Sequence, residues 1–194
     1  MEVTEKRIIR KCASTSSLGA QHSTHVLRSY NLNHQKALEK KKVSCDKEHV
    51  VSEWKANNLV IEFSTSTYEL FKTLLHQLLA KSTSYKPKTT EGVDYQNAIV
   101  DSCIKVYNRL RDGSMGRTLK FVINLYHTSS RVVVNGNRVD LFVSDIYGDL
   151  CAKLSTHYED LSVINKGIFD TIDLTSISKT KEQQNHNDIR RITI

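Results

Sequence analysis

One proline, Pro87, stands in 194 residues, which removes both a collagen-like and a proline-rich linker reading. No run approaches the 18 apolar residues that carry a helix across a bilayer. The opening residues, MEVTEKRIIRK, lack the apolar stretch of a signal peptide. These absences lead us to expect no membrane partner and a place in the nucleus or cytoplasm. The four cysteines, Cys12, Cys45, Cys103 and Cys151, have no short spacing among them. An extracellular disulfide scaffold is not expected at that density in a chain this long. Also missing are a glycine-rich phosphate loop, a G-x-S-x-G elbow and an H-E-x-x-H pair. No catalytic residue, no metal and no cofactor is therefore expected, and an enzyme is the least favoured class.

What the chain does have is positive charge, unevenly placed. The net charge is +7. Residues 1–48 hold ten Lys and Arg against five acids, and residues 105–138 hold seven against one. Residues 49–104 and 139–194 are slightly acidic. A basic segment of this kind steers a polyanion toward one surface, whereas evenly spread charge serves solubility alone. The hydrophobic fraction of 39 % implies that part of the chain stays outside the core.

Residues 1–49 read as a basic, polar, largely flexible arm, with one short helix near Asn33 to Lys42. Within it, His22-x2-His25 and Cys45-x3-His49 have local zinc-ligand spacing, with Cys12 as a further donor. No C-x2-C pair anchors either half, so scattered polar residues are the favoured reading.

The expected folded domain is 50–162. Residues 58–63 alternate as a strand. Ser66 and Glu69 fit a capping box, and Leu70, Phe71, Leu74, Leu75, Leu78 and Leu79 line one helix face. Lys81 to Gly92 reads as a loop. A helix is expected from Asp94 to Arg111 on the spacing of Ile99, Val100, Cys103, Ile104, Tyr107 and Leu110, ended by the two glycines at 113 and 116. Thr118 to Tyr126 and Arg131 to Asn135 form a β-hairpin, and a helix follows from Val139 to Tyr158. Its acids Asp140, Asp145 and Asp149 suit a helix N-terminus better than a metal. Residues 163–194 read as a docking segment, with Ile168, Phe169, Ile172 and Leu174, and a polar tail. The fold class is α+β: an antiparallel sheet with two or three helices packed on one face.

Side chains of a strand alternate, so Leu119, Phe121, Ile123 and Leu125 are expected on the covered face. Lys120, Asn124, Tyr126, Arg131 and Asn135 then share the open one, with Val122 and Val133. Arg109, Arg111, Arg117 and Arg138 would form a basic rim. Cations for phosphates, amides for base edges and a ring for stacking make this a surface for DNA or RNA. The alternative is a patch for protein interaction or homo-oligomerisation, as part of a larger assembly or mobile-element protein, with Val122, Val133 and Tyr126 at its centre. His127 falls at the hairpin tip, where it would touch a partner.

The run from Phe121 to Gly136, FVINLYHTSSRVVVNG followed by a helix, resembles the hairpin-then-helix module of TATA-binding-protein-like folds, among them the N-terminal domain of some ribonucleases H. Ser129, Ser130 and Arg131 fall at the turn and Gly136 at the strand end. The resemblance covers under half of the chain and implies a curved antiparallel sheet whose open side binds nucleic acid. It departs from that pattern in the helix expected at 94–111 and in Ser130, which stands where the turn glycine would be.

Overall fold

β-branched residues alternate through several segments, and these assemble into one sheet. The computed structural model describes residues 25–191, with side chains for residues 29–174. Its strands are β1 (His25–Tyr30), β2 (Val50–Lys55), β3 (Asn58–Phe63), β4 (Tyr85–Asp94), β5 (Ile99–Arg109), β6 (Met115–Tyr126) and β7 (Arg131–Asn135). They lie in the order β1-β4-β5-β6-β7-β3-β2. β1 runs parallel to β4, and every other pair is antiparallel. The helices are α1 (His34–Cys45), α2 (Thr65–Lys81), α3 (Val139–Phe142), α4 (Gly148–Ser155) and α5 (Tyr158–Arg191), with a π-helical turn at Val143–Tyr147 between α3 and α4. The class is α+β, with a mixed but mostly antiparallel sheet.

The buried side chains fall on alternate strand positions: Leu59, Ile61 and Phe63; Ile104 and Val106; Phe121, Ile123 and Leu125; Val132 and Val134. They form one core with Phe71, Leu75 and Leu79 of α2, Phe142 and Ile146, and Leu150 and Leu154 of α4. The leucine stripe expected on α2 is thus buried along its Phe71–Leu75–Leu79 edge, with Leu70, Leu74 and Leu78 packed beside it.

Several expectations need correction. Residues 94–111 are not helical. Asp94 Oδ1 accepts from the backbone N–H groups of Gln96 (2.9 Å) and Ala98 (2.8 Å), and Asn97 takes φ +63°. That turn reverses the chain into β5, which pairs with β4 and β6 along its length. Residues 85–94, expected as loop, are β4. Pro87 sits before the stretch that β1 covers, so among the described residues β4 there has a neighbour on one side only, where a sheet tolerates proline.

The folded body begins before residue 50. Asn33 caps α1 by accepting from the Lys36 N–H at 3.0 Å, and Ser44 and Cys45 are buried. The N-cap of α2 is Ser64, not Ser66. Ser66 instead binds α5, taking Asn165 Oδ1 on its backbone N–H (2.8 Å) and donating its hydroxyl to the Leu161 carbonyl (2.9 Å). Residues 158–191 form a helix that docks on α1 and α2, with Lys42 over the Phe169 ring at 4.6 Å and paired with Asp173.

Leu119 is not on the covered face. The β5–β6 register slips between Val106 and Tyr107, leaving Lys120 unpaired and setting Leu119 opposite Tyr107, 40 % exposed. This bulge carries two residues on one strand against one on its partner and re-aims what precedes it. Gly136 (φ +121°) closes β7 beside it, and a Cβ there would stand 3.1 Å from Phe121 Cα.

Candidate nucleic-acid interface

The register fixes which side chains stand in line across the outer face, where accessible residues alternate with the core. One row reads Asp101, Tyr126, Arg131, Glu62 and Val51 from β5 to β2. Two residues further along comes Thr90, Cys103, Asn124, Val133, Val60 and Glu53. The next row is Lys88, Lys105, Val122 and Asn135, and the last Lys86, Tyr107 and Leu119. Rows lie about 7 Å apart and strands about 5 Å apart.

The first row is electrically closed. Arg131 Nε donates to Glu62 Oε1 at 3.0 Å, and its Nη2 binds the same oxygen. Lys47 Nζ reaches Glu62 Oε2 at 2.7 Å. Lys47 first, then Arg131, holds the Glu62 carboxyl below its ordinary pKa. Tyr126, 39 % exposed, stands between Asp101 and Arg131. Gly92 leaves room beside Asp101 for the Tyr30 ring, whose hydroxyl donates to Asp101 Oδ2 at 2.6 Å.

The sequence-predicted cations therefore separate into two groups. Arg131 is spent on Glu62, and Arg138 on Asp140, with Nη2 2.9 Å from Oδ2. Arg109 Nη1 donates to the Ser82 carbonyl at 2.7 Å. Arg111 and Arg117, exposed around the β5–β6 turn, and half-buried Lys120 have no ion pair among the described residues. Asn124 and Asn135 are half-buried at their expected positions, and Asn124 Nδ2 donates to the Val133 carbonyl at 3.4 Å.

The lysines that sequence reading missed are Lys86, Lys88 and Lys105, because their segments were assigned to a loop and a helix. Lys88 and Lys105 are directly opposed across β4 and β5, both exposed, and Lys86 follows on the same face of β4 beside Tyr107. None of the three has a carboxylate partner among the described residues. Like charges placed opposite one another in a sheet are destabilising, so this end of the face gains from an anion.

His127 is not at an exposed tip. Its Nδ1 lies 2.8 Å from the Tyr68 hydroxyl and its Nε2 2.9 Å from Ser102 Oγ. Burial, then the nearby Lys72 charge, lowers its pKa to about 4, so the ring is neutral at pH 7.

The zinc spacing is not used by the described donors. His49 binds Thr67 Oγ1 (2.9 Å) and Ser162 Oγ (3.0 Å), and Cys45 Sγ donates to the Lys41 carbonyl. Cys12 and His22 lie outside the described residues. Asp145 accepts from the Tyr85 hydroxyl at 2.5 Å, and no group of three His, Cys, Asp or Glu among the described residues is placed to share an ion. No helix among the described residues is long and apolar enough to cross a membrane.

No protein-family model matches the chain, and neither a curated protein nor a solved structure does.

Proposed function

We propose that this protein is a non-catalytic nucleic-acid-binding module that takes a single strand of DNA or RNA on the outer face of its sheet. The reading is carried by the opposed pair Lys88 and Lys105, two exposed cations in register with no carboxylate to neutralise them among the described residues. Lys86, Arg111, Arg117 and Lys120 extend that charge around the β5–β6 end. Tyr107 and Tyr126 supply rings, and Asn124 and Asn135 supply amides, along the strands between. A strand of nucleic acid laid there would meet phosphate-pairing groups first and stacking groups beside them. The acidic, internally paired row at Asp101 and Glu62 would bound the site on its other side.

Fluorescence anisotropy with a labelled single-stranded oligonucleotide tests this. Lys88→Ala with Lys105→Ala is expected to weaken binding about tenfold or more. The slope of log affinity against log salt should shrink by about 1.4, at roughly 0.7 per lost phosphate contact on a single strand. Arg131→Ala, which removes a cation already spent on Glu62, should change affinity far less. An unchanged affinity in the double variant would remove the assignment. Sedimentation showing a concentration-dependent dimer indifferent to oligonucleotide would favour the oligomerisation module in its place, with Trp54 (55 % exposed) on edge strand β2 as the first contact to examine.

A further inference from the structure

On the covered side of the sheet, α1 and α2 leave a cleft of about 700 Å³ against β4, β5 and the end of β6, within the size range of small-molecule sites. Ser102 and His127 line it, hydrogen-bonded to each other, and the buried Tyr68 hydroxyl meets His127 from behind. Its charged wall is Lys41 from α1 and Lys72 from α2. A single carboxylate stands between these two ammonium groups: Glu69 Oε1 lies 3.6 Å from Lys41 Nζ, and Glu69 Oε2 lies 2.6 Å from Lys72 Nζ. Each ammonium sits 5.2 Å from the centroid of the Tyr68 ring.

The balance at this wall is incomplete. The Lys41 side chain is 22 % exposed, and its ammonium has three protons to place. Among the described residues its hydrogen bond goes to Ser130 Oγ at 3.3 Å, and Glu69 is an ion-pair neighbour beyond hydrogen-bond range. Ser130 holds φ +52°, where glycine would sit without strain, and its hydroxyl is what a glycine could not supply. Glu69 itself is 53 % exposed, so water can replace its contacts when it turns outward. Burial is the largest influence on Lys41 and lowers its pKa, while Glu69 acts in the opposite direction. Glu91 of β4 also lines the cleft, while Leu38 and Ile99 give it apolar walls.

We infer that this cleft binds a small phosphomonoester, with Lys41 and Lys72 holding the phosphate in place of Glu69 and Leu38 and Ile99 flanking the organic part. A phosphate dianion balances two ammonium groups where one carboxylate does not. Lysine meets its tetrahedral oxygens as a point charge, without the planar fork that a carboxylate prefers. With His127 Nε2 against its Oγ, the Ser102 hydroxyl can still donate its own proton to a phosphate oxygen.

Calorimetric titration of the full chain with adenosine 5′-monophosphate, inorganic phosphate and adenosine tests the inference. Adenosine 5′-monophosphate is expected to bind at millimolar concentration or tighter, inorganic phosphate more weakly, and adenosine about tenfold or more below the monophosphate. Lys41→Met with Lys72→Met keeps the apolar stems and removes the charges, and should weaken monophosphate binding about tenfold or more. Glu69→Gln removes the competing carboxylate and should tighten binding several-fold, an independent readout if the double variant folds poorly. Lys88→Ala with Lys105→Ala, on the other face, should leave this binding unchanged. The inference is overturned if the monophosphate does not bind, if adenosine binds as well, or if both cleft variants bind like the unaltered chain.

Discussion

Lowering the pH from 7 to 4 is expected to remove about 3 kcal/mol of stability through His127, since its pKa falls from 6.5 in the unfolded chain to about 4 in the fold. The folded state holds the imidazole neutral because Tyr68 and Ser102 occupy both nitrogens in a partly buried place, with Lys72 and Lys41 adding positive charge nearby. Glu69 and Asp101 act in the opposite direction and do not prevail. Below pH 6.5 the unfolded chain takes up a proton that the folded chain refuses. The stabilisation is therefore fully present above pH 6.5, declines as the pH falls toward 4, and is gone below it. Glu62, Asp140 and Asp145 have lowered pKa values, so the stability they add is present above the ordinary carboxylate range and is lost as the pH falls through that range and below it. Urea midpoints from pH 7 to pH 4.5 in the parent and in His127→Gln separate the two effects. The parent should lose up to about 1.4 kcal/mol per pH unit across this window, one proton's worth, and the variant should stay nearly level. Parallel curves would show that the ring titrates in the fold as it does in water.

The paired strands from Phe121 to Tyr126 and from Arg131 to Asn135 were legible because nothing in them conflicts. Phe121, Ile123, Leu125, Val132 and Val134 repeat every two residues and all are buried, while Asn124, Tyr126, Arg131 and Asn135 stand on the outer face. The segment 99–109 was not legible, because Ile99, Val100, Cys103, Ile104 and Tyr107 satisfy a helical period as well as Ile104 and Val106 satisfy a strand period. Pairing with β4 and β6 decides the matter, and that pairing is long-range. The same ambiguity hid the Lys88–Lys105 pair: the two are far apart when read as loop and helix, and become neighbours only through the register of β4 on β5. The cleft cluster was hidden in the same way, since Lys41, Glu69, Ser102 and His127 come from four separate elements or turns. The charges of Arg131 and Arg138 were visible, but their neutralisation by Glu62 and Asp140 was not. A sequence displays how many cations a strand holds; pairing determines how many remain available to a ligand.

Replacing Phe121 by Ala should cost about 3–5 kcal/mol, a large share of the roughly 5–15 kcal/mol that holds a domain together. Phe121 has no accessible surface and stands where the sheet, the β4 edge and the helices after the hairpin converge. Its ring meets Tyr85 edge-on at 5.6 Å and Phe142 edge-on at 5.8 Å, and Gly136 lies against its Cα. Truncation leaves a hole between two rings that cannot both move in. Tyr85 is tethered through its hydroxyl to Asp145 in the π-helical turn, and Phe142 is fixed against Tyr147. Each lost aromatic pair adds about 0.5–1.5 kcal/mol to the transfer cost. Leu119→Ala is the informative comparison. Plain alternation puts residue 119 on the Phe121 face and would make the two losses similar in kind, whereas the bulge at Lys120 turns Leu119 outward, 40 % exposed. That variant should change stability by no more than about 0.5 kcal/mol. Urea unfolding of both, with equal slopes, provides the test. Comparable losses at 119 and 121 would mean that β6 runs without its bulge, and the rows of the outer face beyond Val122 would have to be redrawn one residue out of step.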